Sequence, residues 1–390
     1  MRVISFRPRN MLRQNPCFAL RVLRFLSKTI EMFFLFLFPF LLSPVVDHPV
    51  FGQESPPDGS ETANVSKEGE TGAKEQSELS LFEDIPVVVT ASKKLEHLTE
   101  APSMISVITA DDIQRMGARN IMEVLRTIPG MEIIKDAWDI SQMAVRGLRS
   151  ERSTGVKILV DGHALNDPVT GGATEFYDDL PLKNIRRIEV IRGPASALYG
   201  ANAFVSVVNI ITKNALEING AEVSLGAGSF RTFNPSLLFG KMLNELEISL
   251  YADYYTTAGA KLRINADTLS LYDEERIPYG FPPISLAPGD FQDQREKLHL
   301  AYKLKYLDFT LHGGFLEKSW GPFLTDWYML NTLSSENVQH LYSDLEYRHF
   351  FTERLEFKGK VYADYFRGRL KEQAATLLAA EIRQRLEFLI

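Results

Sequence analysis

The sequence predicts an α+β domain followed by the first part of an antiparallel transmembrane β-barrel, all behind an export leader. Three observations predict it: a basic and then apolar N-terminus, mixed strand, turn and helix signals from Ile85 to about Lys213, and period-two alternation of apolar and polar residues from Ala221 onward. A barrel spreads its apolar residues in alternation. A mean hydropathy near zero therefore excludes only a polytopic helical membrane protein.

Arg2, Arg7, Arg9, Arg13, Arg21, Arg24 and Lys28 precede an apolar run from Met32 to Val46, and the chain turns polar from Gln53. This is the layout of a secretory signal. Pro39 and Pro44 interrupt the run, which is shorter than the roughly 20 residues of a spanning helix. A signal peptide over residues 1–52 is expected, cleaved near Phe51 to Gln53. The only cysteine, Cys17, lies in that leader, so the remainder has no thiol for a disulfide, a metal or a nucleophile. The net charge of −7 becomes more acidic once the basic leader is set aside, which argues against nucleic acid as a partner. Residues 53–84 are rich in Glu, Ser, Gly and Lys, carry Pro56-Pro57, and read as a disordered tether.

Ile85 to Ala91 is a β-prone run, and Ala101 to Ile108 reads as a strand. Thr109, with Asp112 three residues on, caps a helix from Ala110 to Met116 that Gly117 ends. Asn120 with Glu123 starts another, which stops at Pro129-Gly130. Val156 to Val160, Asp161-Gly162 and His163 to Leu165 make a hairpin signal. From Arg187 to Ile191 charged and branched apolar residues alternate, giving a strand with one wet face. Arg192-Gly193-Pro194 stops it, a small-residue connection closes at Tyr199-Gly200, and Phe204 to Ile211 is a second strand, apolar enough to be buried on both faces.

Beyond Ala221 the alternation takes over. Leu246, Ile248, Leu250, Ala252 and Tyr254 share one face, and Glu247, Ser249, Tyr251 and Asp253 the other. Leu298, Leu300, Tyr302, Leu304 and Tyr306 oppose His299, Lys303 and Lys305; Leu355, Phe357, Val361 and Ala363 oppose Glu356, Lys358, Lys360 and Asp364. One face suits lipid and the other water. Connections near Lys241 to Asn244, Tyr306 to Asp308 and Phe351 to Arg354 are tight, while Thr256 to Asp293 and Glu317 to Asn337 read as long outer loops. The pattern gives about seven strands of roughly ten residues.

The wording of these segments resembles the TonB-dependent outer-membrane receptors. Ile188 to Pro194, Leu198 to Gly200 and Val205 to Ile211 resemble the end of their plug domain; Leu125 to Met131 resembles its L-x-x-I-P-G signature; Ala144 to Gly147 its R-G; Val156 to Gly162 its V-x-V-D-G. Pro86, Val87, Val88, Val89, Thr90 and Ala91 resemble the TonB box, which in the family adds as a strand to its energising partner; an ordinary first plug strand is the alternative. The resemblance implies a signal peptide at 1–52, a tether at 53–84, the box at 85–91, a plug at 92–215 and a partial barrel at 221–390. The plug-motif residues are then Pro129, Gly130, Arg146, Gly147, Asp161, Gly162, Glu189, Arg192, Gly193, Pro194, Tyr199 and Gly200. The family's barrel has about 22 strands, and seven cannot enclose a plug, so the chain reads as the N-terminal part of a longer receptor.

The resemblance further implies a place in the outer membrane, contact with its lipid, and energy delivered by TonB and its inner-membrane complex. The cargo it implies is a ferric siderophore first, with cobalamin or haem as the alternative. No cofactor is implied, and no residue is assigned to ligand binding. In the family, plug charges pair with barrel glutamates. Arg146, Glu189 and Arg192 are the matching plug charges, with Glu247 and Glu356 as partners; solvated strand charges are the simpler alternative. Trp320, Phe323, Trp327 and Tyr328 in one outer loop, with Tyr279 and Phe281 in another, suit either a ligand entrance or an interfacial aromatic belt.

Enzyme chemistry finds no foothold. His97, His163, His299, His312, His340 and His349 are scattered, without HExxH spacing, and read as surface or lumen residues rather than metal ligands. Gly226-Ala227-Gly228 sits in an alternating strand, and Gly193 to Gly200 lacks the Lys-Ser or Lys-Thr of a phosphate loop. Asp111-Asp112 and Asp178-Asp179 read as a helix start and a loop. Two further readings stay open: a plug-only binding or signalling module in the periplasm, and a secreted α/β enzyme.

Overall fold

In the computed structural model, residues 87–88, 96–97, 104–136, 140–174, 176–321, 329–330, 335–352 and 355–371 are described. The chain divides into two units, Met1–Asp84 and Ile85–Ile390, and everything described belongs to the second. The expected leader and tether lie outside the described residues, as do Pro86 and Val89 to Ala91 of the box-like run. Val87–Val88 (β1) pairs antiparallel with Glu96–His97 (β2).

The N-terminal α/β part follows its local signals. Ile105–Thr109 (β3) runs into Ala110–Met116 (α1), where Thr109 and Asp112 cap each other's backbone N–H groups and Gly117 closes the helix in the left-handed region. Ile121–Leu125 (α2) is capped by the Asn120 side chain on the Glu123 N–H. Met131–Lys135 (β4), Ser141–Val145 (β5) and Leu148–Arg149 (β6) form a three-stranded sheet. Val156–Val160 (β7) and His163–Ala164 (β8) make the expected hairpin; Ile185–Arg192 (β9), Ser196–Tyr199 (α3) and Ser206–Thr212 (β10) follow. The five-stranded order is β3-β9-β10-β7-β8, with β10 parallel to β7 and the other pairs antiparallel.

Two expectations about this sheet change. From Ile188 to Ile191 β9 has no wet face: it lies between β3 and β10, Ile188 and Val190 are buried, and Glu189 is wholly buried against the Arg187 Nε at 2.7 Å. Phe204 does not start the second strand but is largely exposed before it. Periodicity reports which residues share a face; it does not report what covers that face.

After Ala215–Ile218 (α4) the chain builds an antiparallel wall. Its strands are Gly220–Gly228 (β11), Thr232–Leu243 (β12), Leu246–Thr257 (β13), Arg295–Tyr306 (β16), Phe309–Trp320 (β17), Ser335–Thr352 (β18) and Leu355–Lys371 (β19), paired in that order. The long β13–β16 connection holds Lys261–Ile264 (β14), the helix Thr268–Arg276 (α5) and Gly289–Gln292 (β15), with β14 paired to β15. The second long connection is shorter than expected, because β17 continues to Trp320 and β18 begins at Ser335. Trp320 is therefore a buried strand residue rather than part of a loop. Phe323, Trp327 and Tyr328 lie outside the described residues, whereas Tyr279 and Phe281 are exposed.

The wall has two chemistries. Val223, Leu225, Leu237, Leu250, Phe357 and Val361 are exposed large apolar side chains on one face. The other face meets the N-terminal sheet: Leu316, Trp320, Val338 and Tyr342 belong to the same buried cluster as Ile158, Ile188, Val208 and Phe176. Apolar packing and a polar seam thus share one surface.

Candidate functional site: the seam between the N-terminal sheet and the wall

Among the described residues, the buried polar attachments of the seam fall at three points. The first is the loop carrying Asp178 and Asp179. Lys318 on β17 places its Nζ 2.5 Å from Asp178 Oδ1 and 3.5 Å from Asp179 Oδ1. Lys297 on β16 sits 3.7 Å from Asp179 Oδ1 and donates to the Asp179 carbonyl at 2.5 Å. The Ser141 hydroxyl and N–H both donate to Asp178, and the Lys318 ammonium also lies over the Trp320 ring, 4.9 Å from its centroid. Burial would raise the Asp179 carboxyl, but the charges of Lys297 and Lys318 outweigh it and hold that group below its ordinary value.

The second point is the β7–β8 turn. Asp161 and Gly162 both have positive φ, 49° and 81°, as a two-residue primed turn needs, and Gly162 takes it without strain. The Asp161 carboxylate accepts from the Thr212 N–H at 3.0 Å and hydroxyl at 2.5 Å, and pairs with Lys303 of β16 at 2.8 Å. Burial opposes ionisation of Asp161, yet Lys303 and these hydrogen bonds keep it below the usual carboxylate range. Lys360 of β19 donates to the Gly162 carbonyl at 3.1 Å.

The third point is His163, next in the chain. Its Nδ1 lies 2.7 Å from Asp344 Oδ1 on β18, and its Nε2 3.0 Å from Asp364 Oδ1 on β19. The ring stacks on Tyr342, with centroids 4.2 Å apart and planes 13° apart. His340 on β18 also places Nε2 3.0 Å from Asp364 Oδ1, while its Nδ1 is 2.5 Å from the Tyr177 hydroxyl. Asp344 additionally meets Lys360, and His312 at 3.6 Å. Burial alone would favour neutral His163, but the two aspartates outweigh it and raise its pKa above the ordinary value.

The expected lock between Arg146, Glu189 or Arg192 and Glu247 or Glu356 is not what the seam uses. Glu247 pairs with Lys305 at 3.4 Å and Glu356 with Arg348 at 3.4 Å, each within the wall. Arg146 and Gly147 instead turn the β5–β6 hairpin, with φ of 52° and 76°. The Arg146 N–H donates to Gly130, and the Arg192 guanidinium to the Pro129 carbonyl at 2.9 Å. The structure therefore gathers Pro129-Gly130, Arg146-Gly147 and Arg192 into one internal junction. Gly193 and Pro194 leave β9 there. Tyr199 and Gly200 end α3, where the Tyr199 carbonyl accepts from Lys157 at 2.7 Å. Burial, then the Glu189 charge, pushes the Tyr199 phenol up to about 12.

The scattered histidines are also regrouped. His163 and His340 meet at Asp364; His299 and His312 are buried on the same wall face; His349 pairs with Asp308 at 2.7 Å on the β18 end. Asp178-Asp179, read as a loop, supplies a buried ion pair with Lys318. The signal available in the sequence was the polar alternate face of β16, with Lys297, His299 and Lys303 in one row.

A profile described as TonB-dependent Receptor Plug Domain matches residues 97–207. The Vitamin B12 transporter BtuB of Vibrio vulnificus (strain CMCP6) is 37% identical over 145 residues, covering 37% of this chain and 23% of that protein. The pyoverdine outer membrane receptor FpvA from Pseudomonas aeruginosa PAO1, bound to pyoverdine, superposes with a TM-score of 0.54 at 16% identity, covering 73% of this chain and 40% of that one. The ferripyoverdine receptor of the outer membrane of Pseudomonas aeruginosa, bound to ferripyoverdine, gives 0.50 at 17% identity, with 73% and 37% covered. At such identities the structural likeness is one of fold. The chain spans about a quarter of the curated relative's length and no more than two fifths of either solved chain.

Proposed function

We propose that this chain, a TonB-dependent receptor with its plug domain and the antiparallel strands of a partial barrel, serves active uptake of a scarce ligand across an outer membrane. The observation that supports it is the seam: a folded sheet rests on one polar wall face through Asp178–Lys318, Asp161–Lys303 and His163–Asp344, while the opposite wall face is apolar and exposed. A wall with lipid outside and a docked domain inside is the arrangement a gated pore needs.

On this reading residues 1–52 are the signal peptide, 53–84 the tether, 85–91 the TonB box, 92–215 the plug and 221–390 the wall. The ligand binds on the outer side, and TonB, driven by the proton-motive force, pulls at the box. β1 suits that role physically, because its partnership with β2 spans only two residue pairs and a strand added by TonB would replace it at small cost. Val88→Pro removes a donor from such an added strand. It should abolish uptake and spare ligand binding; normal uptake, or loss of binding, would count against the box.

The cargo proposed is a ferric siderophore, the one the motif resemblance implies first; the solved receptors that share this fold are bound to pyoverdine and ferripyoverdine. Cobalamin is the second reading, favoured by the 37% identity to a protein named as a vitamin B12 transporter. Uptake of labelled ferric siderophore and of labelled cyanocobalamin, each by cells whose other receptors for it are deleted, separates the two.

A further inference from the structure

Two imidazole nitrogens and one carboxylate oxygen converge at a single point of the seam. His163 Nε2 and His340 Nε2 each lie 3.0 Å from Asp364 Oδ1, and all three atoms fall within 4.8 Å of one another. The far side of each ring is already held: His163 Nδ1 by Asp344 Oδ1 at 2.7 Å, and His340 Nδ1 by the Tyr177 oxygen at 2.5 Å. A carboxylate accepts only, so His163 donates Nδ1–H to Asp344 and Nε2–H to Asp364, and it is the Nε2 proton that an ion at this point would replace. Anchoring the distal N–H on a carboxylate or another oxygen is how histidines are oriented toward metals.

We propose that His163, His340 and Asp364 form a site for a divalent transition metal of the zinc class, which joins the plug to the wall. Ligand bonds of about 2.0–2.1 Å in a tetrahedral arrangement set neighbouring ligand atoms roughly 3.3 Å apart, so the two 3.0 Å contacts open by a few tenths of an ångström while the two Nε2 atoms, within 4.8 Å of each other, close toward the same separation. On binding, each Nε2 offers its lone pair, any Nε2 proton is released to solvent, and water takes the fourth position. Two nitrogens and an oxygen suit zinc and its neighbours better than the all-oxygen shells of calcium or magnesium.

With its imidazoles neutral, the point carries one net negative charge, two carboxylates against one ammonium. The groups facing the point are Asp364 and Lys360 from β19, Asp344 and His340 from β18, His312 from β17, and His163 with Tyr177 from the plug. The rings are buried, whereas the Asp364 side chain is 38% exposed. The three ligands are far apart in sequence. Occupancy therefore staples the plug to two wall strands and opposes its displacement.

The test uses the intact protein, purified in detergent and stripped with chelator, with Co2+ as the optical probe and Zn2+ as competitor. One Co2+ per chain, with the visible absorption of a four-coordinate site and displacement by Zn2+, is expected. Asp364→Asn and His340→Gln should each weaken binding at least tenfold while the far-UV dichroism stays that of the parent, and His349→Ala should leave binding unchanged. Failure of the parent protein to take up Co2+, or an Asp364→Asn protein that binds as tightly as the parent, overturns the proposal. These readouts need no transport, so they stand apart from the fate of the uptake reading.

Discussion

Lys318 of the wall lies 2.5 Å from Asp178 of the plug, with the two side chains 4% and 3% exposed. A charge pair so far from water is held by more than its own attraction. The Ser141 hydroxyl fills part of the carboxylate's remaining capacity, and the Trp320 ring lies beneath the ammonium.

Removing one partner of this pair leaves the other buried without a counter-charge. Lys318→Met should lower stability by about 3–5 kcal/mol. Adding Asp178→Asn should recover a large part of that loss, since the stranded charge is gone. Denaturant midpoints of the parent, the two single variants and the double variant close the cycle; additive losses would show that the two groups do not act as a pair.

The same point of attachment responds to acid. Asp179 is held below its ordinary value in the folded protein, so it contributes stability above the unfolded value of about 3.9 and loses that contribution as the pH falls through the lower folded value. Thermal midpoints should therefore be insensitive to Asp179 between about pH 5 and 7 and fall below about pH 4. Asp179→Asn should show a shallower acid arm, and an unchanged arm would remove Asp179 from the account.

Gly162 sits at φ 81°, and a Cβ there would meet nothing nearer than Lys360 Nζ at 3.9 Å. Its cost on substitution is one of backbone rather than clash. Gly162→Ala should destabilise by about 1–2 kcal/mol and Gly162→Asn by less, because Asn tolerates the left-handed region. Equilibrium unfolding of the two variants gives the order directly.

Within the plug, Ile188 is fully buried on β9, between β3 and β10. Ile188→Ala should cost about 2–5 kcal/mol. Leu216 on α4 is 64% exposed, and Leu216→Ala should stay within about 0.5 kcal/mol. Equal losses in the two would mean that the sheet core is not the stabilising unit.

Much of the architecture is written in local chemistry. The Thr109–Asp112 box, Gly117, the Asp161-Gly162 turn and the alternation of β13, β16 and β19 are decided by residues within a few positions of one another, so each is legible along the chain. The family motifs Pro129-Gly130, Arg146-Gly147 and Arg192 are legible too. Their meeting at one junction is not, since the Arg192 to Pro129 contact spans 63 residues.

What only the tertiary structure decided is which charges meet. Alternation put Lys303 and Asp364 on a polar face, but a polar face by itself says nothing of whether water or another sheet covers it. Glu189 was placed on a wet face and is wholly buried; Asp178 was placed in a loop and carries a buried ion pair of the seam; His163 and His340 are 177 positions apart by their numbers and share one aspartate oxygen. The sequence by itself determined the strands, turns and caps, because those depend on neighbours along the chain. Partners across the seam depend on how the plug is set against the wall, and that setting belongs to the packing of the whole molecule.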